Sequence, residues 1–234
     1  MMGFKKRSDE FEIMDDMTMK GRELRRTLDL LASINLWLGG NALTLDGIEK
    51  MLKPYPREKP VRIVDLGCGN GDMLRQLQRF GARSGYTFDL LGVDANPDSI
   101  AYAQELSENL PNVSFKAINI FSKEFEELEY DIAIATLFLH HFSDEEITKL
   151  VSDIKTKSSI GVLINDLHRS EIAYVLFWLV SLFFRNEVAR NDGLVSIRKA
   201  FKRSDLEKYA SSIAGKSSIH WRWAFRYQWI ITSQ

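Results

Sequence analysis

The stretch from Asp65 to Asp72 holds the densest candidate chemistry in the chain. It reads Asp65-Leu-Gly-Cys-Gly-Asn-Gly-Asp72, an acid followed by Gly67, Gly69 and Gly71. Glycines so spaced permit a tight turn, where a Cβ would clash with a close ligand or demand an unfavourable φ. Between an apolar strand and a helix, such a turn makes a nucleotide-type pocket at a helix N-terminus. A second acid, Asp94, ends the apolar run Phe88 to Val93 and is placed to accept hydrogen bonds from both ribose hydroxyls. A dinucleotide fingerprint would need a glycine where Asp72 stands. A further group of reactive side chains follows the fourth and fifth apolar runs: His140 and His141, then Asn165, Asp166, His168 and Arg169. Ligands bind at the carboxyl edge of open α/β sheets. A histidine, with an unperturbed pKa near 6.5, suits removal of a phenol or enol proton.

These residues need a scaffold. Val61 to Val64 reads as a buried parallel strand, and Met73, Leu74, Leu77 and Phe80 recur at helical spacing. Further strands are predicted at Phe88 to Val93, Val113 to Ile118, Tyr130 to Thr136 and Ile160 to Ile164. Helices intervene, one opened by Asn96-Pro97-Asp98 and one by a Ser143/Glu146 capping box. Alternation of this kind implies a parallel, doubly wound sheet. Ahead of it, Leu24, Leu28, Leu31, Ile34 and Leu38 mark a helix from about Met19 to Leu38, stopped by Gly39-Gly40. A shorter helix is predicted from about Thr44 to Leu52, and residues 1–15 read as polar and frayed at the start. After the fifth strand, Ile172 to Phe184 is nearly all apolar, too short to span a bilayer. Such a segment is a lid over a hydrophobic ligand, a core helix or a dimer helix. Arg190 to Gly193 reads as a loop, Arg198 to Arg203 as a solvated basic helix end, and Ser204/Glu207 as the cap of a later helix. Two β-rich runs flank Ala224-Phe225.

Composition narrows the function. A net charge of −1 gives no global pull toward nucleic acid or anionic membrane. The single cysteine, Cys68, excludes an internal disulfide and a zinc cluster. It sits in the glycine loop for its small size and not as a nucleophile. No metal-ligand spacing stands out. No signal peptide is visible, so a cytoplasmic location is expected.

The acid, the G-x-G-x-G turn and the second acid resemble the class I S-adenosylmethionine (SAM) methyltransferases. Ile34-Asn-Leu-Trp-Leu-Gly-Gly40 resembles a small group of these found alongside bacterial type III polyketide synthases; its plainer reading is helix packing with a glycine C-cap. The resemblance implies a seven-stranded Rossmann-like sheet of order 3-2-1-4-5-7-6, closed by an antiparallel hairpin. It implies a helical cap over residues 1–55, and a SAM domain over 56–234 with an acceptor-binding insertion about 168–203. It places Asp65, Gly67, Cys68, Gly69 and Gly71 at the methionine end, Asp94 and Ala95 at the ribose, Asn119 and Ile120 around the adenine, and Thr136 beneath the methionine. Asn119 departs from the acid usual there, but its amide oxygen can still accept from an exocyclic amine. S-adenosylhomocysteine (SAH) would be the product.

The expected activity is methyl transfer to a small hydrophobic acceptor, at a phenolic or enolic oxygen of a polyketide-like compound. Its rivals are carbon methylation of a quinone or polyprenyl ring, and SAM binding without catalysis. Asp166 and His168 are the leading acid–base candidates, with His140 and His141 behind them; the plainer readings are helix capping by Asp166 and loop shaping by the histidine pair. Thr-Leu-Phe-Leu stands after strand four where base-flipping enzymes carry Asn/Asp-Pro-Pro-Tyr, which argues against a nucleic-acid substrate. The expected state is monomer or homodimer.

Overall fold

The computed structural model describes residues 4–232. Five parallel strands, β1 (Val61–Leu66), β2 (Phe88–Asp94), β3 (Val113–Ala117), β4 (Ile132–Thr136) and β5 (Gly161–Leu167), form its centre. β6 (Lys216–Arg222) and β7 (Arg226–Thr232) close the sheet as an antiparallel hairpin, with β7 against β5. The order is β3-β2-β1-β4-β5-β7-β6, as the resemblance implies.

Residues alternate between the two faces of the sheet. Val64, Leu66, Ala133, Val162 and Ile164 pack with apolar residues of α6 (Asp144–Lys157) and α9 (Arg203–Ser211). Ile63, Leu90, Ile132, Ile134 and Leu163 pack with those of α2 (Gly40–Leu52) and α3 (Asp72–Ser84). β4 is covered on both sides, with Ile132 to Ala135 wholly buried, hence its unbroken apolar run. Local signals behave as written. Asn96 accepts from the Asp98 and Ser99 amides to start α4 (Pro97–Leu106), and Ser143 and Glu146 cap α6 reciprocally.

Several local expectations are corrected. Gly39, at φ 76°, ends α1 (Gly21–Trp37), but α2 starts at once with Gly40 and not near Thr44. The Arg190–Gly193 segment is not a loop; it lies inside α8 (Glu187–Lys199), capped by Asn186. Gly193 is there for packing, since a Cβ would sit 2.3 Å from Phe177 Cζ. Ser204 is not the cap of α9. The Asp205 carboxylate accepts from the Lys202 amide at 2.8 Å, which moves the start to Arg203. The basic run is not a solvated end either, because Lys199 is buried against acids. Residues 4–15 are packed, with Phe4 and Glu12 buried; residues 1–3 lie outside the described residues.

The apolar segment forms α7 (Glu171–Ser181) and the turn after it. Only Ala173 and Ser181 of the helix are buried, and Ile172, Leu179, Val180 and Phe183 stand exposed. It is therefore not a core helix. Among the described residues, no helix is long and apolar enough to cross a membrane.

Candidate active site

A cavity of about 1230 Å³ opens at the carboxyl edge of β1, β4 and β5. One end is the glycine turn. Gly67, Gly69 and Gly71 all have left-handed φ, at 67°, 51° and 74°. A Cβ on Gly67 would come within 2.2 Å of the Phe138 ring, so the first position must be bare. Asp94 ties the second strand to the turn, accepting from Gly69 N at 3.0 Å and Asn96 N at 2.9 Å.

Asp65 differs from Asp94. It is 3% exposed, yet its carboxylate has no hydrogen bond or ion pair among the described residues. Burial, and then the charges of Asp94 and Asp72, push its pKa up to about 8. Burial and the same acidic surroundings push the Cys68 thiol up as well, which removes it as a nucleophile. A buried, unpartnered carboxyl beside two more acids is a cradle for a cation. The ammonium and sulfonium of SAM fit that demand, and the spare acceptor capacity of Asp94 fits ribose hydroxyls.

The other end is built from long-range partners. β4 is followed by Leu137, a left-handed residue at φ 54° whose amide donates to Asn165 O at 2.8 Å. That turn brings Phe138 to His141 across the end of β5. Asp166 accepts there from the amides of Phe138, His140 and Leu167, and its Oδ1 lies 2.7 Å from His140 Nδ1. Burial alone would raise the Asp166 carboxyl, but the His140 charge and these hydrogen bonds hold it below the usual range. Burial would likewise lower His140, but Asp166 and then Glu12 overrule it, so the imidazole holds its proton to higher pH than usual.

His141, partly exposed to the cavity, presents Nδ1 2.7 Å from Asp15 Oδ1. Its Nε2 has no protein partner among the described residues. Burial would raise Asp15, but His141 and Lys199 overrule it and hold it at about 2. The N-terminal segment supplies this carboxylate and that of Glu12. Arg7 anchors the segment, donating to Lys199 O, Asp144 Oδ1, His140 O and Phe142 O. Asp192 accepts from the amides of Ile13 and Met14, and Ser196 donates to Glu12 Oε2. Donor atoms of Glu12, His140 and His141 lie within 4.8 Å of one another, close enough to share a metal ion. The Lys199 ammonium already sits 3.4 Å from Glu12 Oε1 and supplies a positive charge there.

Of the residues singled out by sequence, Asp65, Gly67, Cys68, Gly69, Asp94, Thr136, His140 and His141 line this cavity. Asp166 stands behind His140, joined to it and not to His168. His168 is turned away from the cavity, its Nδ1 accepting from Trp221 Nε1 at 3.2 Å and its ring packed on Phe225 and Tyr227. His168 lies one residue past the end of β5, where its contacts with Trp221, Phe225 and Tyr227 hold it away from the cavity, so the structure does not bring it to the site as the leading base. Gly71, Ala95, Asn119 and Ile120 also lie off the lining; Asn119 turns its amide oxygen to Phe121 N, and Ile120 joins the core. Sequence reasoning missed Arg7, Glu12, Asp15, Lys199 and Arg226. The spacing Glu12-x-x-Asp15 ahead of a helix was the one available signal.

Residues 63–157 match the family described as "Methyltransferase domain". Over 44% of its length the chain is 28% identical to the "Probable S-adenosyl-L-methionine-dependent methyltransferase TehB" of Haemophilus influenzae, spanning 34% of that protein. It is 24% identical over 74% of its length to the carboxy-S-adenosyl-L-methionine synthase of Helicobacter pylori, covering 68% of it. To the ubiquinone biosynthesis O-methyltransferase of Rickettsia felis it is 27% identical over 62% of its length, covering 57%. The fold is shared with the plantazolicin methyltransferase BpumL bound to SAH, at TM-score 0.67 and 18% identity over 89% of this chain and 90% of that one. Residues 63–157 thus carry the methyltransferase-domain match, within a sheet whose fold is shared with a methyltransferase of known structure.

Proposed function

We propose that the chain methylates a small, largely apolar acceptor at a phenolic or enolic oxygen, with His141 taking the proton. One observation carries this reading: a single cavity joins the Asp65–Asp94 end to a histidine whose free Nε2 has a carboxylate behind its other nitrogen. Bound SAM supplies a methyl group made electrophilic by its sulfonium. The chain's contribution is mainly positioning, worth roughly 7–11 kcal/mol at best. In this reading the Asp15 carboxylate, 2.7 Å from Nδ1, orients His141 and leaves Nε2 as the acceptor for a hydroxyl proton. His140 is unsuited to that task, because Asp166 and Glu12 raise its pKa and its Nδ1 is engaged by Asp166. Leu31, Ile34, Leu38 and Phe177 give the cavity an apolar wall for the acceptor's body. An O-methyltransferase among the relatives supports oxygen as the target. In this reading residues 1–55 cap the pocket and residues 168–203 complete it.

The test is methyl transfer from labelled SAM to a panel of alkylresorcinols, pyrones and quinols, with the modified atom read by mass spectrometry. His141→Gln should lower kcat by about 10²–10⁴-fold with SAH affinity kept. Near-normal turnover in that variant rejects the base, and carbon-linked product rejects the oxygen acceptor.

A further inference from the structure

Arg226 opens β7, opposite Leu167 of β5, and its side chain reaches the cavity wall. It is 1% exposed. Every other buried cation is well matched. Arg169 donates to Phe4 O and Ala200 O and pairs with Asp205 at 3.0 Å; Lys199 lies between Glu12 and Asp15. Arg226 has five N–H donors, and its side chain makes one long hydrogen bond, Nη1 to Asn165 Oδ1 at 3.4 Å. Its Nε has no partner. Among the described residues no carboxylate oxygen lies within 4.0 Å of it. Asp166, the acid that acts on it from further off, is saturated by His140 and three amides. Burial lowers the Arg226 pKa only to about 10, so the group is charged at neutral pH. A buried, unpaired guanidinium is costly, and the usual remedy is an anion that meets its fork.

The site also selects which anion. Gly40 leaves room for the guanidinium, since a Cβ there would lie 2.9 Å from Arg226 Cζ. Asn35 borders the same gap, and Leu31, Ile34, Leu38 and Phe177 are among the apolar side chains that line the cavity. Arg7 and Arg169, the other guanidiniums of the lining, are engaged by Asp144 and Asp205. The guanidinium left open among the described residues of the lining is that of Arg226, which matches a single negative charge and not a phosphate dianion. Building on the methyl-transfer reading, we infer that Arg226 is an anion subsite of the acceptor pocket, and that the acceptor is an apolar hydroxyaryl acid whose carboxylate pairs with it.

A matched pair of probes tests this: a pentyl-dihydroxybenzoic acid and pentylresorcinol, which differ by the carboxylate alone. Both are titrated by calorimetry into the SAH-loaded full chain. The acid should bind at least about tenfold tighter, as a charged bidentate pair requires. Arg226→Gln should erase that preference with SAH affinity unchanged, and Arg226→Lys should keep part of it, retaining the charge without the fork. If the variants do not fold, the wild-type preference still decides. Equal binding of the two probes, or binding of neither, to a chain that binds SAH overturns the inference. So does an Arg226→Gln variant that loses SAH affinity with the probe ratio intact, which would assign the arginine to the methionine carboxylate. Failure of the wild-type chain to bind SAH at all would instead remove the methyltransferase reading beneath it.

Discussion

The two ends of the cavity are made in opposite ways. The Asp65 end is built on two short stretches joined by the Gly69–Asp94 hydrogen bond, with Asn41 and Asp29 reaching in from the N-terminal helices to Asp72 and Asn70. It is acidic and leaves Asp65 unpartnered. The histidine end draws on Glu12, Asp15, His140, Asp166, Lys199 and Arg226, with Arg7 bridging to Lys199 across 192 positions. It is nearly saturated by its own partners. One end is an open charge awaiting a cation; the other is a network of many partners in which His141 Nε2 and the Arg226 guanidinium are among the groups left open to the cavity. Cofactor binding and acceptor chemistry should therefore separate cleanly under mutation.

The largest expected break is at Asp166. Removing one member of a buried, hydrogen-bonded pair costs about 3–5 kcal/mol. Asp166→Asn should lower stability by that much in denaturant unfolding, while any folded fraction still binds SAH. The pair also sets a pH window. Asp166 has a lowered folded pKa, so its contribution is lost as pH falls through that value. His140 has a raised one, so its contribution is lost as pH rises through it. Asp166→Asn should flatten both edges; a variant with wild-type stability would show that the network is not what holds this wall.

Asp65→Asn should do the reverse. Folded Asp65 keeps its proton to about 8, whereas an unfolded carboxyl releases it near 4. Between those values the folded state binds the extra proton, so the ligand-free chain loses stability as pH rises. The asparagine variant should lose that slope and melt higher than wild type at pH 8. Its SAM affinity should nonetheless fall roughly 10- to 150-fold, since a hydrogen bond to a charged group contributes about 1.5–3 kcal/mol. In the wild type, affinity should rise from pH 6 to 8 as Asp65 ionises. Flat affinity over that range would mean that the carboxylate is not the cation's partner.

The same contrast explains what could be read in the chain. Strand order came with a motif, and the glycine turn announces itself because φ and close contact restrict residue type locally. The histidine wall has no such grammar. Nothing in Arg226-Tyr227-Gln228 tells that the first residue is a buried cation, because its neighbours Asn35, Gly40 and Asn165 are far off in sequence. Residues 1–15 read as no more than polar and frayed at the start for the same reason, since the partners of Arg7 lie near residues 140 and 199. His168 was set ahead of His140 as the partner of Asp166; Asp166 instead pairs with His140, and His168, just past β5, is held by Trp221, Phe225 and Tyr227.

The smallest expected effect lies on α7, where the lid expectation survives in one residue. Phe177 lines the cavity, rests against Gly193 and meets Phe184 edge-on at 5.9 Å, while the helix's other large apolar side chains face outward. Phe177→Ala removes one partly buried ring from the acceptor wall and touches neither Asp65 nor His141. Partial burial of a ring contributes about 1 kcal/mol, so KM for pentylresorcinol should rise about fivefold. Values of kcat and SAH affinity should stay within about twofold, the pattern of binding lost equally from ground and transition states. Gly193→Ala would push the same ring toward the cavity, because the added Cβ would sit 2.3 Å from Phe177 Cζ. It should raise KM for the bulkiest acceptors first. If both variants left KM unchanged while altering SAH affinity, α7 would belong to the cofactor end, and the division between the two walls would have to be redrawn there.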